Sequence, residues 1–183
     1  MYADNSLTPR EAIRLCALGI LAHETSSSRK SLHYDDLVFS VRHFVSRITG
    51  PSLDLMGESI ELLRYEGLVE SEDAQNANPS LKITETGRAS LQTLLRANLR
   101  AGNSDLNELI IALKFRFLHL LAPEDQRAQA SQLIDMCDTE LVRLDDLLLH
   151  HDPDGGHFTE WLKHDIQHVE ERLNWLTVFR DRL

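Results

Sequence analysis

Between residues 68 and 84 the helical periodicity of this chain is interrupted. Leu68-Val69 and Leu81-Lys82-Ile83-Thr84 are short apolar pieces that flank a polar, breaker-rich tract, EDAQNANPS. Two such pieces around a polar tip predict a β-hairpin. Apolar stripes at helical spacing run on both sides of it, so any fold must seat one hairpin among helices.

Upstream, Thr8-Pro9-Arg10-Glu11 offers a capping residue, a proline at the first helical position and a capping-box glutamate. Ile13, Ala17, Ile20 and Leu21 then form a stripe. Residues 25–32 read as a polar linker. Leu37, Val41, Phe44, Val45 and Ile48 predict a second helix, ended by Thr49-Gly50-Pro51. A third runs from about Ser52 to Glu66 with Leu53, Met56, Ile60 and Leu63 inward, and Gly67 stops it.

After the hairpin, TETG opens a helix carrying Leu91, Leu94, Leu95 and Leu99, closed by Ala101-Gly102. Three longer helical patterns follow. Leu106 to Leu121 form one, Pro123 restarts the chain, and Leu133, Cys137, Leu141, Leu144 and Leu148 recur at heptad-like spacing. After HHDPDGGH the last helix carries Trp161, Leu162, Ile166, Val169, Leu173, Leu176 and Phe179.

The expected fold is therefore mainly α. A winged helix-turn-helix domain with a short β-hairpin wing fills residues 1–102, and a multi-helix dimerisation region fills 103–183. In that plan the third helix reads the major groove and the wing touches the adjacent backbone.

Charge limits the partners. Of the net −10, residues 1–100 carry 11 Lys/Arg against 13 Asp/Glu, and residues 101–183 carry 8 against 16. An acidic chain is a poor nonspecific binder of nucleic acid or membrane, so DNA contact needs a local basic face. The candidates are Arg29, Lys30, Arg42, Arg47, Arg64 and Lys82, with Ser52 and Ser59 as donors. No apolar run reaches membrane-spanning length and MYADNSLTPRE lacks a signal-like start, so a cytoplasmic location is expected. Cys16 and Cys137 have no pairing motif and read as buried apolar residues.

Several stretches resemble PadR-like transcriptional regulators. LLRYEGLVE (62–70) is similar to the end of the family's third helix and first wing strand. LKITETGRASL (81–91) is similar to its second wing strand and T-x-x-G helix start. LHYDDL (32–37) places Tyr34 at the family's tyrosine position. Residues 108–141 resemble the helical region of members with a large dimerisation domain. The resemblance implies a homodimer that binds operator DNA, with interlocking C-terminal helices. Some members respond to small aromatic ligands. Where the family usually has a Thr-Leu-Tyr-Pro-Ala-Leu-like run, this chain has Leu55-Met56-Gly57-Glu58-Ser59-Ile60.

The third helix carries Asp54, Glu58, Glu61 and Glu66 against Arg64. That sign suggests an alternative to the regulator, a protein-interaction module that docks a protein partner through this acidic helix. For dimerisation, the residues chosen are Leu113, Phe117, Leu141, Leu144, Leu148, Leu162, Ile166, Leu173, Trp175 and Leu176, because a helix apolar on two sides needs two partners. Trp161, Trp175, Phe115 and Phe117 are candidates for lining a ligand cavity, against the plainer reading as core.

His164 and His168 stand at i, i+4 beside a His-rich tract. Without a His-Glu-x-x-His motif they are expected to be surface side chains, with no metal and no cofactor. No phosphate loop or nucleophile elbow is present, so no catalytic residues are assigned and an enzyme is not expected.

Overall fold

The computed structural model describes residues 6–26, 31–50, 56–73, 76–99, 105–150 and 156–183, without the side chains of 25–26 and 56–59. It divides into two compact units, Met1–Leu121 and Ala122–Leu183.

In the first unit the order is α1 (Pro9–Ser26), β1 (Leu32–His33), α2 (Tyr34–Thr49), α3 (Met56–Tyr65), β2 (Val69–Ser71), β3 (Ser80–Ile83), α4 (Glu85–Arg96) and α5 (Asp105–Phe117), followed by a 3-10 turn at Leu118–Leu120. Of these, α1 to α3 with the small antiparallel sheet of order β1-β3-β2 make a winged-helix arrangement.

The capping box at the start of α1 forms as expected. The Thr8 N–H donates to Glu11 Oε2 at 2.7 Å and the Glu11 N–H to Thr8 Oγ1 at 3.3 Å. The Thr8 N–H and the Thr8 hydroxyl, both donating to Glu11 Oε2, hold the Glu11 carboxyl below its ordinary pKa. The stripe foreseen on α1 understates its burial. Ala12, Ile13, Leu15 to Leu18 and Ile20 to Ala22 are all buried, so α1 is the unit's central helix. It packs against α2, α3, α4, α5 and β3.

Gly19 lets α5 approach α1. A Cβ built there would lie 2.5 Å from the Phe117 ring. Phe117 and Leu113 are buried with Leu109 on α5, which packs against α1 and α2. The sequence expectation broke the chain at 102/103 because Ala101-Gly102 punctuates it. The compact first unit instead extends through α5 to Leu121.

Leu32, expected in the 25–32 linker, lies instead in a strand. Leu32 pairs with Leu81 and His33 with Ser80, making β1 an edge strand. A two-residue strand has no alternation to read and exists only through its partner.

The second unit is an αα-hairpin of α6 (Pro123–His150) and α7 (Phe158–Arg180). Leu133, Ile134, Cys137 and Leu144 of α6 are buried, as are Leu162, Ile166, Val169 and Leu176 of α7. Cys137 and Cys16 are both buried free thiols. Burial pushes the Cys16 thiol up to about 12.

Candidate nucleic-acid interface

α3 is anchored from below and from its end. Ile60 and Leu63 are fully buried. Gly67, at φ 70°, closes the helix, with the Leu68 N–H donating to the Leu63 carbonyl at 2.9 Å and the Gly67 N–H to the Arg64 carbonyl at 3.1 Å. This crossed pair is a Schellman cap, which needs a residue that tolerates positive φ. Just beyond, Arg14 of α1 holds Glu66 at 2.7 Å. Among the described side chains of α3, Glu61, Leu62, Arg64 and Tyr65 face outward, with Tyr65 91% and Leu62 41% exposed.

The wing grows from the same end of α3. Val69 pairs with Ile83, Glu70 with Lys82 and Ser71 with Leu81. The register therefore faces Lys82 with a carboxylate residue across the strands, a favourable pairing that costs the wing part of its free positive charge. At the tip, Asp73 accepts the Ser80 N–H at 2.7 Å and the Asn76 amide at 3.1 Å, bonds that keep its carboxyl below the ordinary range.

The wing base also caps α2. The first turn of a helix leaves N–H groups without partners, and His33 at the N-cap gives no side-chain bond. Wing residues supply the acceptors. Asn78 Oδ1 accepts the Asp35 N–H at 3.1 Å and the Pro79 carbonyl accepts the Tyr34 N–H at 3.0 Å. Tyr34 is half-buried there. Burial and the carboxylates of Glu61 and Asp35 push its phenol above the ordinary pKa, with Arg64 opposing. Tyr34 thus links the start of α2 electrostatically to the outer half of α3.

The junction from wing to α4 explains why the EGLV and TETG motifs occur together. Thr84 caps α4 by accepting the Gly87 N–H at 3.0 Å, while its hydroxyl reaches the carbonyls of Gly67 at 2.8 Å and Leu68 at 3.0 Å. One threonine therefore ties the end of α3, the wing and the start of α4 together.

Of the DNA-contact candidates, Arg42 and Arg47 are exposed on α2, Arg64 is exposed on α3, and Lys82 is half-buried on β3. Ser59 lies in α3, its side chain undescribed, and Arg29, Lys30 and Ser52 lie outside the described residues. Sequence reasoning missed Phe39, 70% exposed on α2 and stacked on His43 with ring centroids 5.9 Å apart. The signal was its phase, since Phe39 falls off the stripe of Leu37, Val41 and Val45. Among the described residues, the outward faces of α2, α3 and the wing mix both charge signs with exposed aromatics.

The dimerisation candidates separate by burial. Leu113 and Phe117 lie in the core of the first unit, and Leu144, Leu162, Ile166 and Leu176 are buried within the chain. Leu141, Leu148 and Leu173 are half-buried. Trp175 is 50% exposed and Trp161, not among the candidates, 54%. As possible cavity-lining residues, Phe117 is therefore packed core and the tryptophans are half-exposed on α7. A small cleft in the first unit is lined instead by Ile20, His23, Glu24, Arg116 and Phe117.

Known proteins place the chain as follows. A family model described as "Putative AphA-like transcriptional regulator" matches residues 2–180. A search of the curated proteins finds no match. Among solved structures, one similar chain is Bacillus subtilis PadR in complex with p-coumaric acid, 15% identical, with 96% of this chain and 97% of that chain covered and a TM-score of 0.38.

Proposed function

Because the chain belongs to the family of AphA-like transcriptional regulators, we propose that it regulates transcription in the cytoplasm by binding operator DNA as a homodimer, each winged helix taking one half-site. The supporting observation is the single junction at Thr84 and Gly67, which fixes the wing to the end of α3 and leaves Arg64 and Lys82 on the elements expected to meet DNA. Arg42 and Arg47 on α2 add cations for flanking phosphates. In this reading residues 1–102 read DNA. The helices of 103–183 set the spacing of the two readers, although α5 among them packs within the first unit.

The test is binding of the purified protein to its own upstream DNA across a salt series, with an unrelated duplex as control. Sequence-selective binding is expected. Arg64→Ala and Lys82→Ala are each expected to weaken it and to flatten the log-log salt slope by about 0.9, the value of one phosphate contact. A slope unchanged in both variants would remove these residues from the interface.

A second reading has its own support. Tyr65 and Leu62 put exposed apolar surface beside Glu61 on α3, a mixture suited to a basic protein partner. Absence of DNA binding at low salt, from a folded protein, would favour it.

Self-association is assigned to the helical region, where Trp161 and Trp175 stand half-exposed on α7. Such large aromatics are the residues that dominate interfaces. Replacing both with serine is expected to weaken dimerisation by roughly tenfold or more, since each buried side chain contributes about 1.5–3 kcal/mol. Sedimentation equilibrium reads the shift. An unchanged dimer would place the interface elsewhere.

A further inference from the structure

α7 carries a second feature on its outer side. His164 and His168, one turn apart, are both exposed, and their ring centroids lie 4.1 Å apart. Neither imidazole makes a hydrogen bond or ion pair among the described residues. Other histidines nearby are engaged. His150 Nδ1 lies 3.2 Å from Asp146 and His157 Nδ1 lies 3.6 Å from Glu160. The buried residues Leu162, Ile166, Val169 and Leu176 take the opposite side of α7, so the pair faces away from α6. Exposed Glu160 lies one turn before His164 and exposed Glu171 one turn after His168. Exposed Lys163 beside His164 and Arg172 one turn after His168 balance these carboxylates, so the site rests on the two imidazoles.

We propose that His164 and His168 form a two-imidazole site for a borderline divalent transition ion of the Zn2+, Ni2+ and Cu2+ class. Imidazole nitrogen suits these ions, and i, i+4 histidines project from one helix face toward a common point. Among the described residues no cluster of three His, Cys, Asp or Glu side chains is placed to hold a metal. The site is therefore bidentate, with water filling the remaining positions. Hard ions that prefer oxygen, such as Mg2+, have no place in it. The inference does not depend on the DNA-binding reading; the pair shares the Trp161–Trp175 side of α7 assigned above to self-association, so the titration is run on the protein in its native oligomeric state.

The neighbouring tryptophans provide the probe. Trp161 lies three residues before His164 and Trp175 seven after His168, on the same side of the helix. Titrating the protein with Ni2+ is expected to quench tryptophan fluorescence to saturation, and Mg2+ to leave it unchanged. In the double variant His164→Ala, His168→Ala the half-saturation concentration should rise about tenfold or more, because losing ligands costs at least what losing a metal's outer partners costs. The variant His150→Ala, His157→Ala should titrate like the parent. Both pairs are exposed, so the fold should tolerate the changes, and helix content by circular dichroism verifies it. Electron spin-echo spectra of the Cu2+ complex should show two coupled imidazoles. The proposal is overturned if no saturable quenching occurs, if the double variant at 164 and 168 titrates like the parent, if the loss follows His150 and His157 instead, or if fewer than two imidazoles are coupled.

Discussion

Gly87→Ala is expected to destabilise the first unit by roughly 2 kcal/mol or more, although alanine is the better helix former. Gly87 sits in the first turn of α4, where alanine would ordinarily gain up to about 1 kcal/mol over glycine. Here a Cβ would collide with the Leu68 backbone carbonyl and approach Ile83 Cγ1 to 2.8 Å. A clash with backbone is not relieved by a rotamer change. Overpacking of this kind costs about 1–3 kcal/mol and occasionally more. The same carbonyl accepts the Thr84 N–H at 3.1 Å and lies 3.0 Å from the Thr84 hydroxyl, so moving it loosens the wing as well. The clash wins over the propensity gain. Thermal unfolding should show a drop of roughly 5 °C or more. A variant as stable as the parent would mean that α4 can shift off Leu68 freely, and the junction would no longer be what fixes the wing.

The local signals in this chain were readable because each acts over three or four residues. The Thr8–Glu11 capping box, the Gly67 stop and the Thr84 cap all formed where the sequence placed them. The hairpin emerged with β2 and β3 at the two apolar pieces. What the sequence concealed depends on tertiary partners. β1 exists because Leu81 and Ser80 offer an edge. The cap of α2 is supplied by Asn78, 43 residues away. Leu113 and Phe117 looked like a dimer seam, since an apolar stripe does not say which surface will cover it, and α1 with Gly19 receives Phe117. Ala101-Gly102 punctuates the sequence pattern, whereas a domain edge depends on what the next helix packs against. For the candidate interface, the cations on α2 and α3 were legible as exposed charge. The facing of Lys82 with Glu70 required the register.

The largest pH effect should come from Lys114, a residue that periodicity could have flagged. It occupies the apolar stripe of α5 with Ile110 and Phe117, and its side chain is 2% exposed. Its Nζ donates to the Leu95 carbonyl at 2.6 Å and to the Ala97 carbonyl at 2.8 Å. Those carbonyls end α4, where the negative pole of the helix dipole favours a cation. Lys114 therefore pins α5 to the end of α4. Burial nevertheless pulls its pKa down from 10.5 to about 8. For a base depressed in the folded state, the unfolded chain holds the extra proton between those two values. Stability from this group is lowest below pH 8, where both states are protonated, and rises as pH climbs toward 10.5. The gain across that window approaches about 3 kcal/mol. Lys114→Met removes the titration and also leaves two helix-end carbonyls without their donor. Urea unfolding from pH 7 to pH 10 should therefore show the parent gaining on the variant as pH rises. Parallel pH profiles would show that the two carbonyl bonds and the end of α4 offset the burial, leaving the Lys114 pKa unshifted on folding.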